Sequence, residues 1–187
     1  MTVQTSIADK NFQISPPRPW CRYFARVLDI ALYGPISLFV ILVALSVVFP
    51  DFVESLPVFF KTSGGKLIKV SLFVFLSGFL SAVLIGYTGT SIGKWFFGVS
   101  VTDHEGLKIG FKRAWQREMK VWWRGLAMAV PLISLYANYA AYKRLVNTGH
   151  TSWDDQMNLR IAYRDEDMLQ TVKMIIGFIL IIILLAI

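Results

Sequence analysis

Cysteine is almost missing from this 187-residue chain. The lone Cys21 excludes an internal disulfide, and with only two histidines, His104 and His150, there is no Cys/His set of zinc spacing, so no metal site is expected. Charge is scarce as well: 17% of residues are charged, whereas soluble domains carry about 25%. No nucleophile sits in a spacing that would bring it to a base. A phosphate loop is missing too, because Gly89-x-x-x-Gly93-Lys94-Trp95 has neither the loop length nor the terminal Ser/Thr. These absences exclude a soluble enzyme, a disulfide scaffold and a nucleotide-binding module. Neither a catalytic residue nor a cofactor is expected.

What is abundant is apolar sequence, 55% of residues with a mean hydropathy of +0.54. It comes in blocks of membrane-crossing length, which requires about 20 residues. Residues 30–49 and 70–88 meet that requirement. Residues 121–142 are weaker, being interrupted by Arg124, Pro131 and Asn138, and are expected either to span or to re-enter. The final apolar run, residues 174–187, crosses only if residues 171–173 join it and Lys173 snorkels to the interface. Residues 1–19, with Pro16, Pro17 and Pro19, read as a flexible tail without a secretory h-region.

The formal charge of +7 is read as loop charge on a membrane protein that meets anionic headgroups, rather than as a nucleic-acid footprint. Residues 1–26 carry a net +3, residues 50–65 a net −1, and residues 89–120 a net +3. The positive-inside rule therefore puts the N-terminus and the 89–120 loop in the cytoplasm. Within that loop, residues 95–102 are β-rich, Asp103 to Gly106 has turn chemistry, and residues 107–111 are expected to return as the second strand of a hairpin. Residues 157–163 are a candidate third strand. If it pairs with the loop, residues 121–142 must leave and return on one side, with a bend at Pro131.

Four places hold candidate functional residues. Arg22, Arg26 and Asp29 share one helical face at the start of the first span, and Asp29 is expected to pair with Arg26. That pair reads as a structural anchor more readily than as a cation- or proton-carrying site, since two neighbouring cations keep the carboxylate ionised. Ser77, Gly78, Ser81, Ala82 and Gly86 form a small-residue stripe suited to helix packing. Asp154 and Asp155 diverge from one another, so they read as a cap or an ion pair to Arg117 or Arg22 rather than as a cation site. The histidines read as solvated.

Three stretches together resemble the RDD family of bacterial membrane proteins. They are Pro19-Trp20-Cys21-Arg22 through Arg26 to Asp29, then Ser91-Ile92-Gly93-Lys94 through Asp103 and Gly106 to Arg117-Glu118, and finally Gly149 through Trp153-Asp154 to Ile161. Ser91-Ile92 stands where the family has Thr-Pro, and Asn158 and Arg160 depart from its usual Gly-Thr. The resemblance covers residues 17–163, giving a membrane domain over 20–163 followed by an acidic linker and apolar helix over 164–187. It implies a signature cluster of Arg22, Arg26, Asp29, Arg117 and Asp154, with Gly93, Lys94 and Gly106 shaping the loop.

The expected fold is an all-α multi-pass membrane protein of the inner membrane with a small cytoplasmic β-hairpin. Two functions are expected from different classes. One is a transporter or transporter subunit for a small cation or polar solute. The other is a non-catalytic scaffold or assembly factor. The transporter reading predicts a homo-oligomer, since two secure spans are thin for a transport path, and the expected partners are a second copy or a membrane partner protein.

Overall fold

The computed structural model describes residues 12–13 and 16–186. The rest of the expected flexible tail, residues 1–11 and 14–15, lies outside the described residues. Helix α1, Pro19–Val48, opens with proline at its first position, where the missing N–H costs nothing. Its 30 residues reach roughly 45 Å, more than a bilayer core requires, so its first turns extend past the apolar stretch. A short helix α2, Pro50–Phe59, leads to α3, Ser63–Thr88, which Thr62 caps by accepting from the Gly65 N–H. The last helix, α8, covers Met168–Ala186. It begins six residues before the apolar run, so its 19 residues reach about 28 Å without any special accommodation. Helices α1, α3 and α8 are long and apolar enough to cross a membrane.

Between α3 and α8 the chain builds a compact polar layer at one end of the three helices. It contains α4 (Ile92–Phe96), β2 (Val99–Thr102), α5 (Gly110–Lys120), α6 (Pro131–Thr148), α7 (Ser152–Gln156) and β3 (Arg160–Arg164). The expected hairpin does not form. β2 pairs antiparallel with β3, Val99 facing Tyr163 and Thr102 facing Arg160, and a two-residue strand β1, Phe12–Gln13, pairs with the other edge of β3. Residues 107–109 turn back only far enough for one bond, from the Asp103 N–H to the Leu107 carbonyl. Gly110 then begins α5, whose Ala114, Arg117 and Glu118 recur at helical spacing on its buried face.

The β2–β3 pairing puts both ends of the intervening chain at one end of the bundle. α5 runs antiparallel along α3: Phe111 stacks edge-on against Phe79, and Trp122 against Phe75. A π-helical turn, Val121–Gly125, and a 3-10 turn, Ala127–Ala129, then reverse the direction. Residues 127–129 take positive φ of 47°, 55° and 64° to make the reversal. Pro131 starts α6 rather than bending it, and α6 returns until Tyr142 meets Trp20 beside the first turn of α1. Residues 121–142 therefore fold back to the end they left.

Two cores hold the layer to the helices. Ala25, Leu28, Phe97, Val99, Tyr163 and Ile181 join α1, α8 and the sheet. Ala82, Ile85, Val101, Ile109, Ala114 and Leu159 join α3, α5 and β2. The small-residue stripe does the packing expected of it: Ser77, Gly78, Ser81, Ala82 and Gly86 are all buried. An added Cβ at Gly86 would lie 2.6 Å from the Phe111 nitrogen, so α5 begins in direct backbone contact with α3.

Candidate functional site: a buried ion-pair network

Asp29 lies on the buried face of α1, 3% exposed. Its partner is not Arg26. Helix α4 descends onto this face and brings three donors. The Gly93 N–H donates to Oδ1 at 2.8 Å, while the Ser91 hydroxyl at 2.5 Å and the Lys94 ammonium at 3.1 Å donate to Oδ2. Ser91 also accepts from Lys94 through its N–H and its ammonium, closing the triad. A Cβ at Gly93 would sit 2.1 Å from the Ala25 carbonyl oxygen, so only glycine lets α4 come this close. The Tyr33 hydroxyl accepts from the next N–H, that of Ile92, and extends the same docking surface one turn along α1.

Arg26 turns instead to α5. Its two terminal nitrogens donate to both oxygens of Glu118, at 2.6 and 3.2 Å. Arg117 bridges, donating from Nη1 to Glu118 at 2.8 Å and from Nε to Asp154 at 2.8 Å. Arg22 donates to the other Asp154 oxygen at 3.1 Å and, through Nε, to the Tyr163 hydroxyl of β3. Thr151 completes Asp154 with a hydroxyl at 2.7 Å. One unbroken chain, Arg22–Asp154–Arg117–Glu118–Arg26, thus ties α1, α5, α7 and β3 together. Asp155 points away to an exposed pair with Arg144, so the two adjacent aspartates diverge as expected. Asp154 is fully buried and pairs with both Arg22 and Arg117.

The network survives burial because each carboxylate faces cations. Burial alone would raise the Glu118 pKa, but Arg26, Lys94 and Arg117 outweigh it and hold the group at about 2. Burial also opposes ionisation of Asp154, and Arg117 and Arg22 reverse that, so its pKa falls. Burial pulls the Lys94 ammonium down from its ordinary value, with Asp29 and Glu118 acting against the drop.

The expected cluster therefore exists in two touching parts. Arg22, Arg26, Arg117 and Asp154 lie in the chain of ion pairs, and Asp29 sits in the α4 niche with Gly93 and Lys94. Gly106 belongs to neither. It takes φ of 80° in a turn where the Asp103 carboxylate accepts from the N–H groups of Glu105 and Leu107. The sequence reading missed Glu118 as a site member and Lys94 as the partner of Asp29. The signal for Glu118 was available: it lies four residues after Ala114 on an amphipathic helix and beside Arg117, whereas no spacing rule leads from Asp29 to position 94. Both histidines are exposed, as expected.

Beside the network a cavity of about 710 Å³ opens between the first turns of α1 and the inner face of α6. Among the described residues no group of acids, histidines and cysteine is arranged to hold a metal ion.

This architecture is that of a helical membrane-type protein: three apolar helices carrying a polar layer locked on by buried ion pairs. The chain belongs to the RDD family, whose model matches residues 16–187. The match extends past residue 163, where the motif resemblance stopped, and takes in α8. Packing agrees, because Gln170 donates to the Phe96 carbonyl at 2.9 Å and Gly177 lies against Phe97. No curated protein and no solved structure matches the chain.

Proposed function

We propose that the chain is a non-catalytic scaffold or assembly module of the bacterial inner membrane, with its polar layer and N-terminus in the cytoplasm. The observation that carries this reading is the Asp29 niche. Both carboxylate oxygens are taken, one by a backbone N–H and the other by a hydroxyl and an ammonium, and the group is buried. A carrier carboxylate must release its partners and meet its ligand from water, and this one is spent on docking α4. The helices meanwhile present wide apolar faces: only 17% of the apolar window of α1, 28% of that of α3 and 17% of that of α8 is buried within the chain. Such faces suit lipid, other copies or a partner's helices.

Charge supports the orientation. Of the 19 Lys and Arg, three (Lys61, Lys66 and Lys69) fall between α2 and the first turns of α3, and the other 16 precede the apolar part of α1 or follow α3. The test is flux of Na⁺, K⁺ and H⁺ in proteoliposomes, paired with size in detergent. The scaffold reading expects no flux from wild type or Asp29→Asn and a particle larger than one chain. Flux lost in Asp29→Asn at unchanged thermal stability would overturn it. The cavity beside α1 favours one second reading, a transporter subunit. Because its charged lining is cationic, that reading keeps a polar solute and drops the cation.

A further inference from the structure

The cavity has a feature that the ion-pair network does not need. Four cations line it, Arg22, Arg26, Lys94 and Arg117, and none of the carboxylates that balance them does. Asp154 and Glu118 have no side-chain exposure, while Arg22 and Arg26 keep 16% and 19%. The acids thus stand behind the cations, and a molecule in the cavity meets guanidinium. Four cations against Asp29, Glu118 and Asp154 leave one positive charge over. The hydrogen bonds of Arg22 run from Nε and Nη1 and those of Arg26 from Nη1 and Nη2, so each guanidinium has N–H capacity beyond its protein partners.

Beyond the cations the lining is mostly apolar, with Ser134, Asn138 and Thr151 as its uncharged polar members. Val27 and Ile30 of α1 line it together with Leu126, Tyr139 and Leu145, and exposed Trp20 and Tyr142 belong to the same lining. Trp and Tyr gather where headgroups meet acyl chains. Arg22 and Arg26 sit within the first two and a half turns of α1, just before its apolar run, and Val27 and Ile30 continue the lining from them into that run. The volume is that of a ligand site, which is about 300–1,000 Å³.

We propose that this cavity binds one anionic glycerophospholipid, its phosphate at Arg22 and Arg26 and the start of one acyl chain along the Val27–Ile30 wall beneath α6. The lipid cancels the surplus charge and fills a gap that α6 spans without closing. The site needs the membrane placement but no partner protein, so it stands or falls separately from the scaffold reading.

The test uses the purified full-length chain in neutral detergent, with phosphatidylglycerol, phosphatidylcholine or inorganic phosphate added. Phosphatidylglycerol should raise the thermal midpoint and bind one to one, at least about tenfold more tightly than phosphatidylcholine, the ratio that one charge-assisted contact supports. Equal binding of the two lipids would overturn the proposal, and so would inorganic phosphate reproducing the full shift, since the ligand would then be a free anion. Ala141→Trp fills the cavity from α6 without touching an ion pair. It should abolish the phosphatidylglycerol shift, and a retained shift would refute the site. A photoreactive phosphatidylglycerol on wild type gives an independent readout. Cross-links on residues 134–145 support the site, and cross-links confined elsewhere overturn it.

Discussion

Replacing Glu118 by glutamine tests the contribution of the network with little change of shape. The substitution keeps the shape and volume of the side chain, removes its charge and turns one acceptor oxygen into an NH2 donor that faces a guanidinium. Arg26 then loses its carboxylate, and Arg117 is left with Asp154 alone. The drop of the Glu118 pKa from 4.5 to about 2 measures how much the folded state favours the ionised form. At about 1.36 kcal/mol per pKa unit it corresponds to roughly 3 kcal/mol. That agrees with the ~3–5 kcal/mol lost when one partner of a buried pair is removed. Because the folded-state pKa lies below the unfolded one, the contribution is fully present above pH 4.5 and is lost as pH falls towards 2. Asp154 is shifted the same way and adds to the acid sensitivity. Thermal unfolding in detergent at neutral pH should place Glu118→Gln below wild type by about 6–12 °C, taking ~2–4 °C per kcal/mol. In a series from pH 6 to 3, wild type should lose stability steeply and the variant more gently, since it has already forfeited one of the titrating groups. If both proteins share one midpoint and one acid slope, the network does not hold the layer on, and the reasoning fails.

Charge reversal at Asp154 should cost at least ~3 kcal/mol and lower the midpoint sharply, because Arg22 and Arg117 would face a buried cation. The adjacent Asp155→Asn should change it by less than about 1 kcal/mol, its pair with Arg144 being exposed. Lys94→Met leaves Asp29 with no cation and should destabilise by about 3–5 kcal/mol. Adding Asp29→Asn should recover part of that loss, and strict additivity in this double-mutant cycle would contradict a direct Asp29–Lys94 interaction. Gly93→Ala drives a Cβ into the Ala25 carbonyl and should abolish well-folded protein by size-exclusion chromatography. Gly64→Ala meets open space in the first turn of α3 and should raise stability by up to about 1 kcal/mol.

The local devices were legible because each follows from neighbours in the chain. Twenty apolar residues in a row ask for lipid, so α1 and α3 could be placed from composition alone, as could the packing role of the Ser77–Gly86 stripe. The shared face of Arg22, Arg26 and Asp29 follows from helix periodicity. The expected hairpin at 95–111 went wrong for a complementary reason. Strand-like residues specify that a strand wants a partner, not which one, and β3 beat residues 107–109 because Val101 and Ile161 bury together once α5 and α7 are in place.

Pairing among charges was equally undetermined. Arg26 could reach Asp29 along its own helix, but the close approach that Gly93 permits gave Asp29 to Lys94, and α5 then offered Glu118 to Arg26. A buried charge takes whichever partner desolvates with it, and that is fixed by how helices dock. The amino-acid order determined that this chain carries segments long and apolar enough to cross a membrane, and which charges lie beside them. The tertiary structure decided which cation meets which carboxylate, and which cations remain facing a cavity, because apart from adjacent Arg117 and Glu118 the ion pairs of the network and the niche join residues 37 to 132 positions apart.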